Sequence, residues 1–290
     1  AGQPMTTYTV TSTVNGQTYT GTFSLALNVC NDVMVDFRRV YKTSPAREAF
    51  SVQNSAGTVV YSVDFSTTQK ASATVDDYVC LPQGQYSVTL SATTTYWIKD
   101  SFLYVNAMIN TNELEYLMRA RYDANLALET TRHFSTEYPV PYQSQWFYKM
   151  NEVPANWYGS DTSGWEQSTM GSYPAATSNI QLYKKTFNVA SLQNYAGVVL
   201  TLRYKFGCVI YLNNYEVFRN GVVGDLSTSS VTENIYLSLM YRTVSLPIIH
   251  FQQGTNTIAI AIVSTTSTRT SFFDCAVRLM SLTTESRVLD

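Results

Sequence analysis

Charge is scarce in this 290-residue chain: Asp, Glu, Lys and Arg make up 14% of it, and the formal net charge is −2. An ordinary soluble domain carries about 25% charged residues, so polarity must come from Thr, Ser, Asn, Gln and the 22 Tyr. With no basic field to collect phosphates, nucleic-acid binding is not expected. Long apolar runs are missing too: no uncharged apolar window reaches the roughly 18 residues of a membrane-spanning helix, and no membrane insertion is expected. Histidine is limited to His133 and His250, far apart in sequence and outside any Cys/His ligand spacing, which argues against structural zinc. The patterns G-x-S-x-G, H-E-x-x-H, P-loop and G-x-G-x-x-G are all missing. No nucleophile with its base, metalloprotease helix or nucleotide cradle is therefore legible, and the chain is expected not to be an enzyme. No Asn-X-Ser/Thr acceptor occurs either, so glycosylation gives no separate sign of secretion.

Cysteines number four, two in each half. In an oxidising compartment, pairing within each half is expected, Cys30 with Cys80 and Cys208 with Cys275; four buried thiols in a reducing one are the alternative. The opening AGQPMTTYTV, without a charged start or apolar run, fits a mature secreted chain. No cofactor is expected, although Asp76-Asp77 and Asp161 offer oxygens that suit a structural calcium ion; solvated turn carboxylates are the competing interpretation.

What is present is short, closely spaced strand patterns. TYTVTSTVNGQTYT at Thr7 to Thr20 folds about Asn15-Gly16, a strong hairpin signal. FSLALNV (Phe23 to Val29) and VMVDFRRV (Val33 to Val40) read as further strands, with Val33, Val35 and Phe37 on one face. Turn residues Asn54 to Gly57 separate the next pair. ELEYLMRARY at Glu113 to Tyr122 fits a helical face and an alternating strand alike; the strand is favoured, with Leu114, Tyr116, Met118, Ala120 and Tyr122 on one side and FLYVNAMI pairing across Asn110 to Asn112. YPVPYQSQ at Tyr138 to Gln145 holds two prolines and reads as an extended linker. The organisation expected is all-β, two consecutive antiparallel jelly-roll-like β-sandwiches: residues 1–138, a linker over 139–145, and 146–290.

The second half carries, in order, LYKKTFNV, LTLRYKFG, the hairpin YLNNYEVFR, GTNTIAIAIV and FFDCAVRL. That order resembles a galactose-binding-like jelly-roll domain, with Asn214 where the family usually has glycine and with Asp274 at a position that organises the closing strand. CLPQGQYSVTL at Cys80 to Leu90 resembles a motif of secreted protist and bacterial surface modules. The aromatic stretch after Trp146 matches the lead-in of the jelly-roll family. Flat rings and planar polar groups recognise sugars. By that chemistry the candidate ligand-binding residues are Asn156, Trp157, Asp161, Trp165, Tyr173, Arg219 and Asn220. Hydrophobic plugs closing the sandwich are the other use for the same tryptophans.

The sequence therefore predicts a non-catalytic extracellular or cell-surface protein. Its leading role is a structural subunit that associates with itself or with neighbouring surface proteins, as in a filament; a carbohydrate-binding or adhesive module with a glycan partner is the alternative. Weak charge suits both, because few desolvated charges oppose contact.

Overall fold

The computed structural model describes residues 5–26, 30–42, 48–65, 72–93, 97, 101–121, 131–168, 179–232, 240–265 and 273–281. Among them are nineteen strands, no α-helix and one 3₁₀ turn at Ile248–His250. All strand pairing is antiparallel. The fold is all-β.

A free-standing hairpin comes first, β1 (Met5–Val14) with β2 (Gln17–Ala26). Asn15 and Gly16 take the positive φ values of 51° and 80° that its tight turn requires. The expected separate strand at Phe23 is instead the continuation of β2, because uninterrupted pairing carries Phe23 opposite Tyr8.

Two four-stranded sheets then face each other. One orders β6 (Thr74–Leu81), β3 (Val33–Val40), β8 (Phe102–Met108) and β9 (Leu114–Ala120); the other orders β10 (Thr131–Ser135), β7 (Gln85–Ala92), β4 (Glu48–Asn54) and β5 (Val59–Val63). Alternation explains their shared core: Val35, Phe37, Val52, Val88, Leu103, Val105 and Phe134 are each 0% exposed. Cys30 and Cys80 are disulfide-bonded, closing a span of 50 residues.

The second sandwich stacks a six-stranded sheet on a three-stranded one. The larger orders β12 (Glu166–Gln167), β11 (Phe147–Met150), β13 (Ile180–Val189), β18 (Gly254–Val263), β15 (Gly207–Leu212) and β16 (Tyr215–Asn220); the smaller orders β17 (Arg242–Pro247), β14 (Tyr195–Tyr204) and β19 (Phe273–Ser281). The hairpin at Tyr211 to Arg219 turns on Asn213 and Asn214, at φ 49° and 71°. Asparagine accepts this left-handed backbone at low cost, so it can stand at both turn positions.

Cys208 and Cys275 are free thiols, a correction to the second expected disulfide. They lie on β15 and β19, in opposite sheets of one apolar core, and both are fully buried. Burial pushes both thiols well above the ordinary thiol range, so they pack as small hydrophobes.

The proline-containing segment is pinned on both sides. Thr136 N donates to Gly84 O, Leu279 N to Glu137 O and Val277 N to Val140 O. Gln143 N donates to the Asp274 carboxylate. Residues 137–140 thus run along the free edge of β19, and the outward face of β19 is the floor on which the first sandwich rests. Ala276, on that face, belongs to the first sandwich's core.

Candidate functional site

Three places gather the polar and aromatic side chains of this chain: the contact between the sandwiches, the outer face of the six-stranded sheet, and a cleft beside the contact.

The contact centres on Glu115 of β9 and Arg278 of β19. Arg278 Nε donates to Glu115 Oε1 at 2.8 Å, with side-chain exposures of 3% and 0%. The second carboxylate oxygen accepts the hydroxyls of Tyr138, at 2.7 Å, and Tyr142. Burial and the neighbouring Glu115 charge hold the Tyr142 hydroxyl well above its usual pKa, so it stays a donor. Arg203 approaches Glu113 at 3.7 Å on the rim of the same seam. Asp274 accepts Tyr241 Oη at 2.6 Å as well as Gln143 N, tying the linker to the second sandwich.

Sequence reasoning missed Glu115, and the cause is a β-bulge. Val105 pairs with Met118 and Asn106 with Tyr116, so Leu117 is the extra residue. The strand interpretation of this segment holds, but its facing is corrected: before the bulge Glu115 and Leu117 point inward while Leu114 and Tyr116 are exposed, and after it Met118 and Ala120 are buried. A signal did exist in the partner strand. Arg278 sits inside the otherwise apolar run Cys275 to Met280, where a solvent-facing charge would be out of place.

The outer face of the six-stranded sheet is covered by residues 151–165 and by the chain after β16. Trp157 is 5% exposed and packs with Ile180, Leu182, Val209 and Ala261. Its ring meets Tyr211 edge-on at 5.4 Å, and Tyr158 stacks on Tyr211 at 4.5 Å with 11° between planes. Tyr211 Oη donates to Glu216, which binds Arg219 at 2.6 Å. The Arg219 guanidinium holds Glu216 below the usual carboxylate range. The fold therefore brings Asn156, Trp157 and Arg219 together through Tyr211. Asn156 forms the turn, at φ 53°, and its carbonyl accepts Gly159 N.

Trp165 packs against the same apolar cluster as Trp157. Asn220 donates to Tyr204 Oη. Lys184, 1% exposed, lies 4.2 Å over the Trp165 ring and donates to the Asp161 carbonyl, and burial lowers its pKa to about 8. The Asp161 carboxylate accepts Ser163 N, which holds it below the usual range. Tyr173 lies outside the described residues. Of the carboxylates weighed for calcium, Asp76 is bound to Arg38 at 2.6 Å and Asp77 to Arg39 across β3 and β6, so both are strand residues in ion pairs. Among the described residues no group of three or more His, Cys, Asp or Glu side chains is placed to hold a metal ion.

Two hollows accompany these features. One, of about 350 Å³, is lined by Ser160, Asn213, Asn214, Gln252, Thr255 and Thr257 at the tip of the β15–β16 hairpin. The other, of about 580 Å³, lies between the sandwiches and is lined by Gln53, Asn54, Gln85, His133, Asn194 and Ser281 among others. Burial lowers the His133 pKa and favours the neutral imidazole. The hollow at the hairpin tip carries no acidic or basic side chain, and the other carries only the His133 imidazole, so hydroxyls and amides make up most of what either offers.

No protein-family model matches this chain, and no curated protein does. Among solved structures, it is similar to a β-glucuronidase of an uncultured Clostridium species, at 13% identity and TM-score 0.31, over 48% of this chain and 28% of that one. It is similar to an α-L-rhamnosidase of Streptomyces avermitilis complexed with L-rhamnose, at 15% identity and TM-score 0.27, over 86% and 20%. It is also similar to a chain of infectious bursal disease virus, Gx strain, at 11% identity and TM-score 0.22, over 96% and 70%. The chain thus spans under a third of the length of the two glycosidases. Likenesses of this size carry no argument about activity.

Proposed function

We propose that this chain is a non-catalytic structural subunit of an extracellular or cell-surface assembly, in which the two sandwiches act as one rigid block. The observation that carries the reading is the desolvated Glu115–Arg278 pair, closed by two tyrosine hydroxyls. A buried pair fixes one relative placement more than it adds stability, because any slip leaves a charge without its partner. A subunit that must repeat its contacts needs such fixity; an enzyme that closes on substrate does not. The Cys30–Cys80 disulfide suits an oxidising compartment. Among the described residues no helix is long and apolar enough to cross a membrane. Sedimentation velocity across a wide concentration range, with electron microscopy of the most concentrated sample, tests the reading. Defined oligomers or filaments are expected, and monomer at every concentration refutes it.

A second reading, glycan binding, rests on the Tyr158–Tyr211 stack beside the uncharged hollow at the hairpin tip. Titration with galactosides, glucans and mannans tests it, with Tyr211→Ala as the control. Silence across all three retires it.

A further inference from the structure

The hairpin β1–β2 forms a sheet of its own: no other described strand pairs with either edge. Ten residues at about 3.4 Å each make a ribbon roughly 34 Å long, and two strands alone are marginal in water. Yet the ribbon lacks two of the devices that guard exposed edges, proline and charge. It contains no proline, and the first charged residue of the chain is Asp32. Seven of the ten residues of β1 are Thr or Val, β-branched types that favour strands, whereas β2 is interrupted by Gly21.

Register identifies the open groups. The two-residue turn makes Val14 and Gln17 a hydrogen-bonded pair, so Thr13 and Thr18 form the next, non-hydrogen-bonded pair. Their hydroxyl oxygens lie 3.4 Å apart, as the closer side-chain spacing of such a pair allows. Alternation then gives Thr11, Thr9 and Thr7 the same status. The backbone N–H and C=O of these threonines point away from β2, a ladder without a second strand among the described residues. Other described edges match it poorly: β5 has five residues, β6 carries Asp76 and Asp77, and β16 carries Glu216 and Arg219.

Building on the assembly role proposed above, we infer that the outer edge of β1 pairs with β1 of a second copy of this chain, antiparallel about a two-fold axis. The product is a four-stranded sheet, past the three strands at which a sheet becomes independently stable. Such a contact is isologous and closes on itself. It leaves the β2 edges outermost, where Gly21 weakens further growth.

The test is a pair of double substitutions in the full chain. Thr9→Pro with Thr11→Pro removes two outward N–H groups from β1 without touching those bonded to β2; Thr18→Pro with Thr20→Pro does the same on the outer edge of β2. Sedimentation equilibrium is expected to show the β1 variant at least about tenfold weaker in association than wild type, since several edge hydrogen bonds are lost per dimer. The β2 variant is expected to associate as wild type does. Amide exchange at Thr7, Thr9 and Thr11 in the wild type should slow as concentration rises. An assembling wild type whose association survives the β1 substitutions, or falls equally with both pairs, overturns this inference and leaves the assembly reading standing. A wild type that stays monomeric overturns both.

Discussion

Replacing Arg278 by methionine keeps the length and apolar stem of the side chain while deleting the charge that Glu115 faces. The Glu115 carboxylate is then 2% exposed with two tyrosine hydroxyls and no cation. Breaking a buried pair from one side costs about 3–5 kcal/mol. For a chain of this size each kcal/mol lowers the melting temperature by about 2–4 °C, so Arg278→Met is expected to melt roughly 6–20 °C below wild type. The double variant Glu115→Gln with Arg278→Met supplies the contrast. The glutamine carbonyl still accepts from Tyr138 and Tyr142 but carries no charge to desolvate, so the double variant is expected to recover about 2 kcal/mol relative to the single one.

Urea unfolding followed by tryptophan fluorescence reads both effects, because Trp97 belongs to the first sandwich and Trp146 and Trp157 to the second. Wild type is expected to unfold in one transition, and Arg278→Met in two, once the seam no longer couples the sandwiches. A cost below about 1 kcal/mol for Arg278→Met would show that water or movement relieves Glu115, contrary to a desolvated lock. A double variant less stable than the single one would refute the argument equally.

Further expectations follow from the thiols, the buried lysine and one crowded glycine. Alkylation followed by mass measurement should find no reactive cysteine in the native protein, two after unfolding and four after unfolding with reduction, because Cys208 and Cys275 are buried and Cys30 is bonded to Cys80. Reducing that disulfide, which closes a span of 50 residues, should cost about 4 kcal/mol by the loop-entropy relation. Lys184 titrates near pH 8 when folded against 10.5 as its ordinary value, so the unfolded chain binds the extra proton between these limits and stability rises with pH across them. Lys184→Met should abolish that rise in denaturation midpoints measured from pH 7 to 11. Gly197→Ala would put a methyl group 2.7 Å from the Leu246 carbonyl oxygen, and chemical denaturation should show a loss of about 1–3 kcal/mol as β14 and β17 are forced apart.

How far the sequence was legible depends on the range over which each interaction acts. Local chemistry announced itself: Asn15-Gly16 and Asn213-Asn214 can hardly be anything but tight turns, and each joins two paired strands, although β2 runs on through the strand expected separately at Phe23. A bulge is less visible. One residue inserted at Leu117 leaves the hydrophobic pattern of β9 plausible in either facing, so strict alternation assigned Glu115 to solvent. Cys30 pairs with Cys80 as expected, whereas the pairing of Cys208 with Cys275 failed for a related reason. Placing two cysteines in one sandwich says nothing of whether their Cβ atoms come within the few ångströms a disulfide demands.

The seam between the sandwiches is the part that local pattern could not show. A β-sandwich considered alone has its outer faces in water, and by that rule Arg278 and Asp274 on β19 would both be solvated. Each is buried because the outer face of the three-stranded sheet is itself an interior surface, covered by the first sandwich and by residues 137–145. Charge is so scarce in this chain that placing a carboxylate and a guanidinium where neither meets water is informative in itself. The pair adds little net stability, whereas its geometric demands exclude other packings of two otherwise unspecific sheet faces. A polar pair inside an apolar contact thus trades stability for a single arrangement, the property that a repeating subunit requires of its own two halves before it can repeat anything else.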